Sequence, residues 1–221
     1  MLDQLQIGEK YSYDDFSASV RDRKISAPSK KKIKETVPFS NATYDFSSIN
    51  GEIYWEERVL EYNLEMDAAS AEELEELKLA FNAWVMNAEN EKLYDPFIKD
   101  YHFLATFDSV SFDDSEFEKT TITLVFTAYP YMIANKKKRY IFPITATEKE
   151  FTVVNNSAHK ITPTFDSNVS ANIKFGNVSY SMGNVEVTDE RFKLERGNNT
   201  LKIKSTTGSG TFIVEYSEEV F

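Results

Sequence analysis

Apolar and polar residues alternate cleanly from Leu60 onward. Leu60, Tyr62, Leu64 and Met66 fall on one side, and Glu61, Asn63 and Glu65 on the other. A period of two is that of a strand with one face buried. Ser70-Ala-Glu-Glu73 follows as a capping box, in which Ser70 takes the N3 amide and Glu73 reaches back to the Ser70 amide. Leu74, Leu77, Phe81, Trp84 and Ala88 then recur in steps of three and four, which predicts a helix from about Ala71 to Glu89. Tyr101, Phe103, Ala105 and Phe107 alternate next, then Ile122, Leu124 and Phe126, giving two further strands. Pro130, inside Ala128-Tyr-Pro-Tyr-Met132, lacks an amide donor and ends the second of them. A strand, a helix laid across it and a returning pair of strands form the smallest unit here able to bury a core.

The segments around this unit are less regular. Residues 4–25 read as one or two short strands carrying Tyr11, Tyr13, Phe16, Val20 and Ile25. Residues 26–50 hold Pro28, Lys30-Lys31-Lys32, Lys34 and Pro38, the composition of an exposed loop or projecting hairpin. Four lysines without interleaved aromatics favour a solvated arm, or an ion-pair surface for an acidic neighbour, over a phosphate patch. Ile53-Tyr-Trp55 is expected to lead into the Leu60 strand through an irregularity at Glu56-Glu57-Arg58. Glu56 and Glu57, adjacent on a strand, would face opposite ways and could not share a substrate atom. Leu93-Tyr-Asp-Pro96 reads as a turn, and the glycine-free acidic stretch Asp108–Glu118 as a hairpin tip rather than a calcium loop.

From Glu150 no helical period appears. Short β runs recur at Phe151–Val153, Ile161–Phe165, Ile173–Phe175, Tyr180, Val185–Val187, Phe192–Leu194, Leu201–Ile203 and Phe212–Tyr216. Turn signals separate them, and five of the seven glycines lie here. Strands at this spacing predict a β-sandwich of the jelly-roll kind. Residues 133–149 read as a junction, with the possibility of a strand pair. The expected fold class is therefore an α+β N-terminal domain, antiparallel sheets with one helix packed across, over residues 1–134, followed by an all-β galectin-like or jelly-roll sandwich over residues 135–221.

Charge sharpens this division. Residues 1–134 carry 26 Asp and Glu against 13 Lys and Arg, and residues 135–221 carry 10 against 12, within a net charge of −11. The acidic first part would repel nucleic acid unless its few lysines were clustered on one face. The chain has no cysteine, which removes disulfides, thiolate metal sites and cysteine nucleophiles. The N-terminus lacks the basic and apolar regions of an export signal, and no apolar run approaches a bilayer span, so folding in a cytoplasm is expected. The two histidines, His102 and His159, have no histidine partner at metal-site spacing, and His102 is expected on a strand surface. No nucleophile elbow, dinucleotide-binding glycine motif or P-loop occurs. No catalytic, cofactor-binding or metal-ligating residue is assigned, and no enzyme is expected.

The order of parts resembles the siphophage distal tail protein (Dit) family. The matching features are the Pro28–Phe46 loop, with Val37-Pro-Phe leading to Tyr44-Asp-Phe46-Ser, the Trp55…Arg58-Val-Leu…Leu64 strand and the capped helix with Leu77, Phe81 and Trp84. Tyr101…Phe107 and Thr123-Leu-Val-Phe126…Tyr129-Pro-Tyr131 complete the order. The resemblance covers roughly residues 10–133. Phe39-Ser-Asn-Ala stands where the family often has Gly-Arg-x-Gly. The second part is similar to the galectin-like sandwich of these proteins through Leu194-Glu-Arg-Gly-Asn-Asn-Thr-Leu201 and Gly-Ser-Gly-Thr-Phe-Ile-Val214.

The resemblance implies a structural virion protein at the distal end of a long non-contractile phage or prophage tail. Six copies would form a ring, with the exposed strand edges and the 26–50 arm as subunit contacts. The ring would join the tail tube protein to the tail-tip protein near the tape measure, and its sandwiches would offer docking surface to receptor-binding proteins. DNA would pass through the channel without being specifically bound, and nothing would insert in a membrane. The alternative is a carbohydrate-binding accessory module. Its sugar-stacking aromatics would have to be Tyr180, Phe192 or Tyr216, since both tryptophans lie in the first part.

Overall fold

The structure is a computed structural model that describes residues 3–36, 38–39, 41, 43–48 and 52–221. It divides into two compact units, one running to Met132 and including Phe221, the other Ile133–Val220. Val37 of the Val37-Pro-Phe segment lies outside the described residues.

In the first unit the chain forms β1 (Gln6–Ile7), β2 (Lys10–Tyr11), β3 (Ala18–Ile25), β4 (Lys34–Thr36), β5 (Thr43–Asp45), β6 (Arg58–Asp67), α1 (Ala71–Met86), β7 (Glu91–Tyr94), β8 (Tyr101–Glu116) and β9 (Lys119–Ala128). An antiparallel sheet runs in the order β2-β1-β7-β8-β9-β6-β3. At its centre β6 and β9 pair without interruption from Arg58↔Ala128 to Asp67↔Lys119. Unbroken register fixes which face each side chain takes. Leu60, Tyr62, Leu64 and Met66 are accordingly all buried, as are Ile122, Leu124, Phe126 and Ala128.

The helix ends at Met86, shorter than its periodicity predicts. The Ala88 amide donates to the Val85 carbonyl at 3.1 Å, a tightened last turn, and Asn87 Nδ2 donates back to the Ala83 carbonyl. The Ser70 hydroxyl accepts from the Glu73 amide, as the capping box requires. The Glu73 carboxylate, however, accepts from Ala69 rather than Ser70. Phe81 is fully buried, and the half-buried Trp84 stacks on Phe16 at 4.8 Å with its indole N–H donating to the Ile7 carbonyl. Each buried aromatic of this kind stabilises the unit by roughly 1.5–3 kcal/mol.

Three local expectations are corrected. Asp108–Glu116 is strand, not loop: Val110 and Phe112 pair with Leu124 and Ile122, and bulges after Phe107 and Asp113 absorb the acidic residues. Only Phe117 and Glu118 remain as the turn. Leu93 and Tyr94 belong to β7, with Leu93 buried against the core, so the turn starts at Asp95. Glu56 and Glu57 precede β6 and are simply exposed. The 26–50 segment carries an exposed two-stranded hairpin, β4 with β5.

The second unit contains β10 (Met132–Ala134, from Ile133), β11 (Lys138–Ile144), β12 (Lys149–Asn155), β13 (Thr164–Ser167), β14 (Ala171–Phe175), β15 (Val178–Met182), β16 (Val187–Thr188), β17 (Gly197–Ser205), β18 (Gly210–Tyr216) and β19 (Glu219–Val220). Two four-stranded antiparallel sheets, β11-β18-β13-β16 and β12-β17-β14-β15, supply one core. Phe165, Phe212 and Val214 enter it from the first sheet, and Val153, Ile173, Leu201 and Ile203 from the second. Residues 138–144, read as junction, are thus a strand of this unit. Phe192–Leu194 is not a strand; Leu194 makes only an isolated bridge to Ile161. The Gly176-Asn177 turn joins β14 to β15, with Gly176 at φ 55°, a conformation that costs glycine little.

Among the described residues the fold is mostly β, with one helix and several antiparallel sheets.

Candidate functional site

Most side chains that could carry chemistry are committed to structure. Asp95 is buried and accepts from the Phe97 amide at 2.8 Å and the Tyr62 hydroxyl at 3.1 Å, with Arg23 Nη1 at 2.6 Å. Burial, and then the Asp95 charge, hold the Tyr62 phenol well above its ordinary pKa. Lys78 lies on the core-facing side of α1, nearly buried, with Glu75 at 2.8 Å and Asp114 at 2.7 Å. Its burial favours the neutral amine, but the hydrogen bonds it donates to Asp114 and Glu75 outweigh that and raise its pKa. The same bond from Lys78, with one from Thr120, lowers that of Asp114. Sequence periodicity missed Lys78, since a lysine among Leu74, Phe81 and Val85 gives no apolar signal.

His102 is buried rather than on the surface, its ring tilted over Tyr94 at 5.4 Å. Leu93 pairs with Phe103 between β7 and β8, and the adjoining Tyr94 ring packs against the face that alternation assigned to solvent. His159 Nε2 is 2.7 Å from Glu219 Oε2 in the second unit. Among the described residues no group of three or more His, Asp or Glu converges as a metal site. Of the aromatics considered for sugar stacking, Phe192 and Tyr216 are buried and Tyr180 is half-buried with the Arg191 guanidinium 5.7 Å from its ring. Tyr216 donates its hydroxyl proton to the Val154 carbonyl.

What remains is surface on the first unit. At the start of β6 a cavity of about 510 Å³ is lined by Ile25, Pro28, Trp55, Ile98, Met132 and Phe221. Trp55 and Phe221 meet edge to face at 4.7 Å. Into this apolar wall runs Arg58, only 4% exposed. Its Nε has no hydrogen-bond partner, and its guanidinium lies 5.7 Å from the Phe103 ring. Burial pulls its pKa down from the ordinary arginine value. A guanidinium held this way without an anion costs several kcal/mol relative to a paired one.

At the far end of the β6–β9 ladder the β8–β9 turn carries Phe117, 90% exposed, between the exposed Glu116 and Glu118. Phe117 with Leu74, Glu75, Lys78 and Asp114 also borders a smaller depression of about 370 Å³. A third surface is the β4–β5 hairpin, where Tyr44 stacks on Phe46 at 6.2 Å and Ile33 and Phe39 are exposed. Of the lysines of this segment, Lys34 is 3.8 Å from Asp45, and Lys30 lies 5.9 Å from the Trp55 ring.

No protein-family model matches the chain, and no curated protein matches it. Among solved structures, the crystal structure of the SPP1 Dit protein, described as a paradigm of the hub adsorption apparatus in phages infecting Gram-positive bacteria, is similar over 98% of this chain and 99% of its own, with a TM-score of 0.70 and 13% identity. A chain of the phage P2 baseplate in its activated conformation with Ca aligns at a TM-score of 0.44 and 9% identity, over 97% and 98% of the two chains. The resemblance read from the order of sequence motifs thus meets a likeness in three dimensions, and the chain has a Dit-like fold.

Proposed function

We propose that this protein is a structural hub component of a phage or prophage tail, at the distal end of a long non-contractile tail. The observation that carries the reading is the likeness to SPP1 Dit along both chains nearly end to end. In this reading the first unit, residues 1–134 of the sequence division, forms a ring of six copies that links tail tube to tail-tip or baseplate proteins. The galectin-like second unit, residues 135–221, offers docking surface outward to other tail proteins, receptor-binding proteins among them. The exposed β4–β5 hairpin supplies apolar contact area of the kind subunit interfaces use. A chain of net charge −11 suits a conduit through which DNA passes, because adsorption needs cations that displace counterions from phosphate.

The buried state of Phe192 and Tyr216 gives no support to a sugar-binding module. The decisive test is antibody-gold labelling of virions in negative stain, together with light scattering of the purified chain. Label at the tail tip and a cyclic oligomer are expected; label elsewhere, or a monomer at all concentrations with no ring at the tip, would remove the reading.

A further inference from the structure

Two features of the first unit are unfinished in a single copy, and each supplies what the other lacks. Arg58 is a buried cation facing an apolar cavity with no carboxylate paired to it among the described residues. Phe117 is an exposed aromatic, and Glu116 and Glu118 beside it are exposed and make no salt bridge among the described residues. Neighbouring charges at the tip are taken: Asp114 by Lys78, and Lys119 by Asp67 at 3.3 Å. We propose that the Glu116-Phe117-Glu118 turn of one copy docks into the Trp55–Arg58 cavity of the next, Phe117 filling the apolar wall and a flanking carboxylate pairing with Arg58.

The two features cannot meet within one chain. Arg58 opens the β6–β9 ladder and Lys119, next to the turn, closes it, nine paired positions away. At roughly 3.3 Å per residue the separation is about 30 Å. A contact between two different patches at opposite ends of one rigid ladder is heterologous, the type that builds rings when the rotation closes. The fit has a physical incentive on each side. A paired, hydrogen-bonded guanidinium loses the penalty of isolation, and an aromatic anchor in a desolvated pocket is the usual centre of binding energy at an interface. The inference rests on the ring reading above and adds which surfaces meet.

The test uses the full chain. Phe117→Ser, and separately Glu116→Gln with Glu118→Gln, alter only an exposed turn, so the fold should survive both. Arg58→Met keeps most of the volume of a buried side chain while removing its charge. Each is expected to raise the concentration needed for oligomer formation at least tenfold in light scattering. Because the chain has no cysteine, single Lys119→Cys and Ala27→Cys chains can be mixed with a short bismaleimide. A cross-linked heterodimer is expected in the mixture and not from either chain alone, and Phe117→Ser in the Lys119→Cys chain should abolish it. If the variants all assemble like the parent and the mixture does not cross-link, this contact is wrong while the ring stands. If the parent itself is monomeric at every concentration, both fall together.

Discussion

The Tyr62 phenol is fully buried on β6 with the Asp95 carboxylate 3.1 Å away and Arg23 completing the group. A folded-state pKa above the ordinary 10.0 has a defined consequence for stability. The unfolded chain releases this proton near pH 10, while the folded chain keeps it to higher pH. The contribution of the phenol is therefore complete below pH 10 and is lost as pH rises toward the folded value. Tyr216, raised by burial and by Tyr140, acts in the same direction. Urea midpoints should fall between pH 9 and pH 11, and Tyr62→Phe should make that fall shallower. At pH 7 the same substitution takes one donor from buried Asp95 and should cost about 1–2 kcal/mol. An unchanged alkaline slope in Tyr62→Phe would show that the pair does not carry the effect.

At the scale of elements, local rules and long-range pairing contribute differently. Ser70 caps α1 through the Glu73 amide, and Ser70→Ala should lower stability by about 1 kcal/mol in urea without altering near-ultraviolet dichroism. The reciprocal half of the capping box moved by one residue to Ala69, a choice made by the chain path out of β6 rather than by the motif. β8 makes the contrast plain. Its acidic second half has poor strand propensity, yet β9 offers a ladder, and Val110 and Phe112 gain cross-strand partners that the sequence of β8 does not reveal. Gly210, where β18 begins, has the side chain of Val169 2.4 Å from the place a Cβ would occupy, a close approach set by tertiary packing alone.

For the whole molecule, the two units have cores with no residue in common. Leu64 and Ile203 are both fully buried, one in each. Leu64→Ala and Ile203→Ala should each cost roughly 2–5 kcal/mol and displace different transitions in calorimetry. A single transition moved equally by either would mean that the units unfold as one. The charge of −11 leads to a separate expectation: no retention of duplex DNA in gel shifts at physiological salt. Measurable retention would argue against a passive conduit.

Periodicity by itself determined the strand with Leu60, Tyr62, Leu64 and Met66 inside, the capped helix with Phe81 buried, the all-β character after Glu150 and the Gly176 turn. These follow from spacing of 2 or 3.6 and from turn chemistry, which are local. The order of motifs also pointed to the Dit-like fold later met in three dimensions. Tertiary structure alone decided that Asp108–Glu116 is strand, that His102 is buried with its ring against Tyr94, that Lys78 is held between Glu75 and Asp114, and that Arg58 has no carboxylate partner among the described residues at a cavity wall. Each of these depends on a partner distant in sequence. Alternation can say which way a side chain points, but only the neighbouring strand or helix decides whether it meets water, a ring, a carboxylate or nothing.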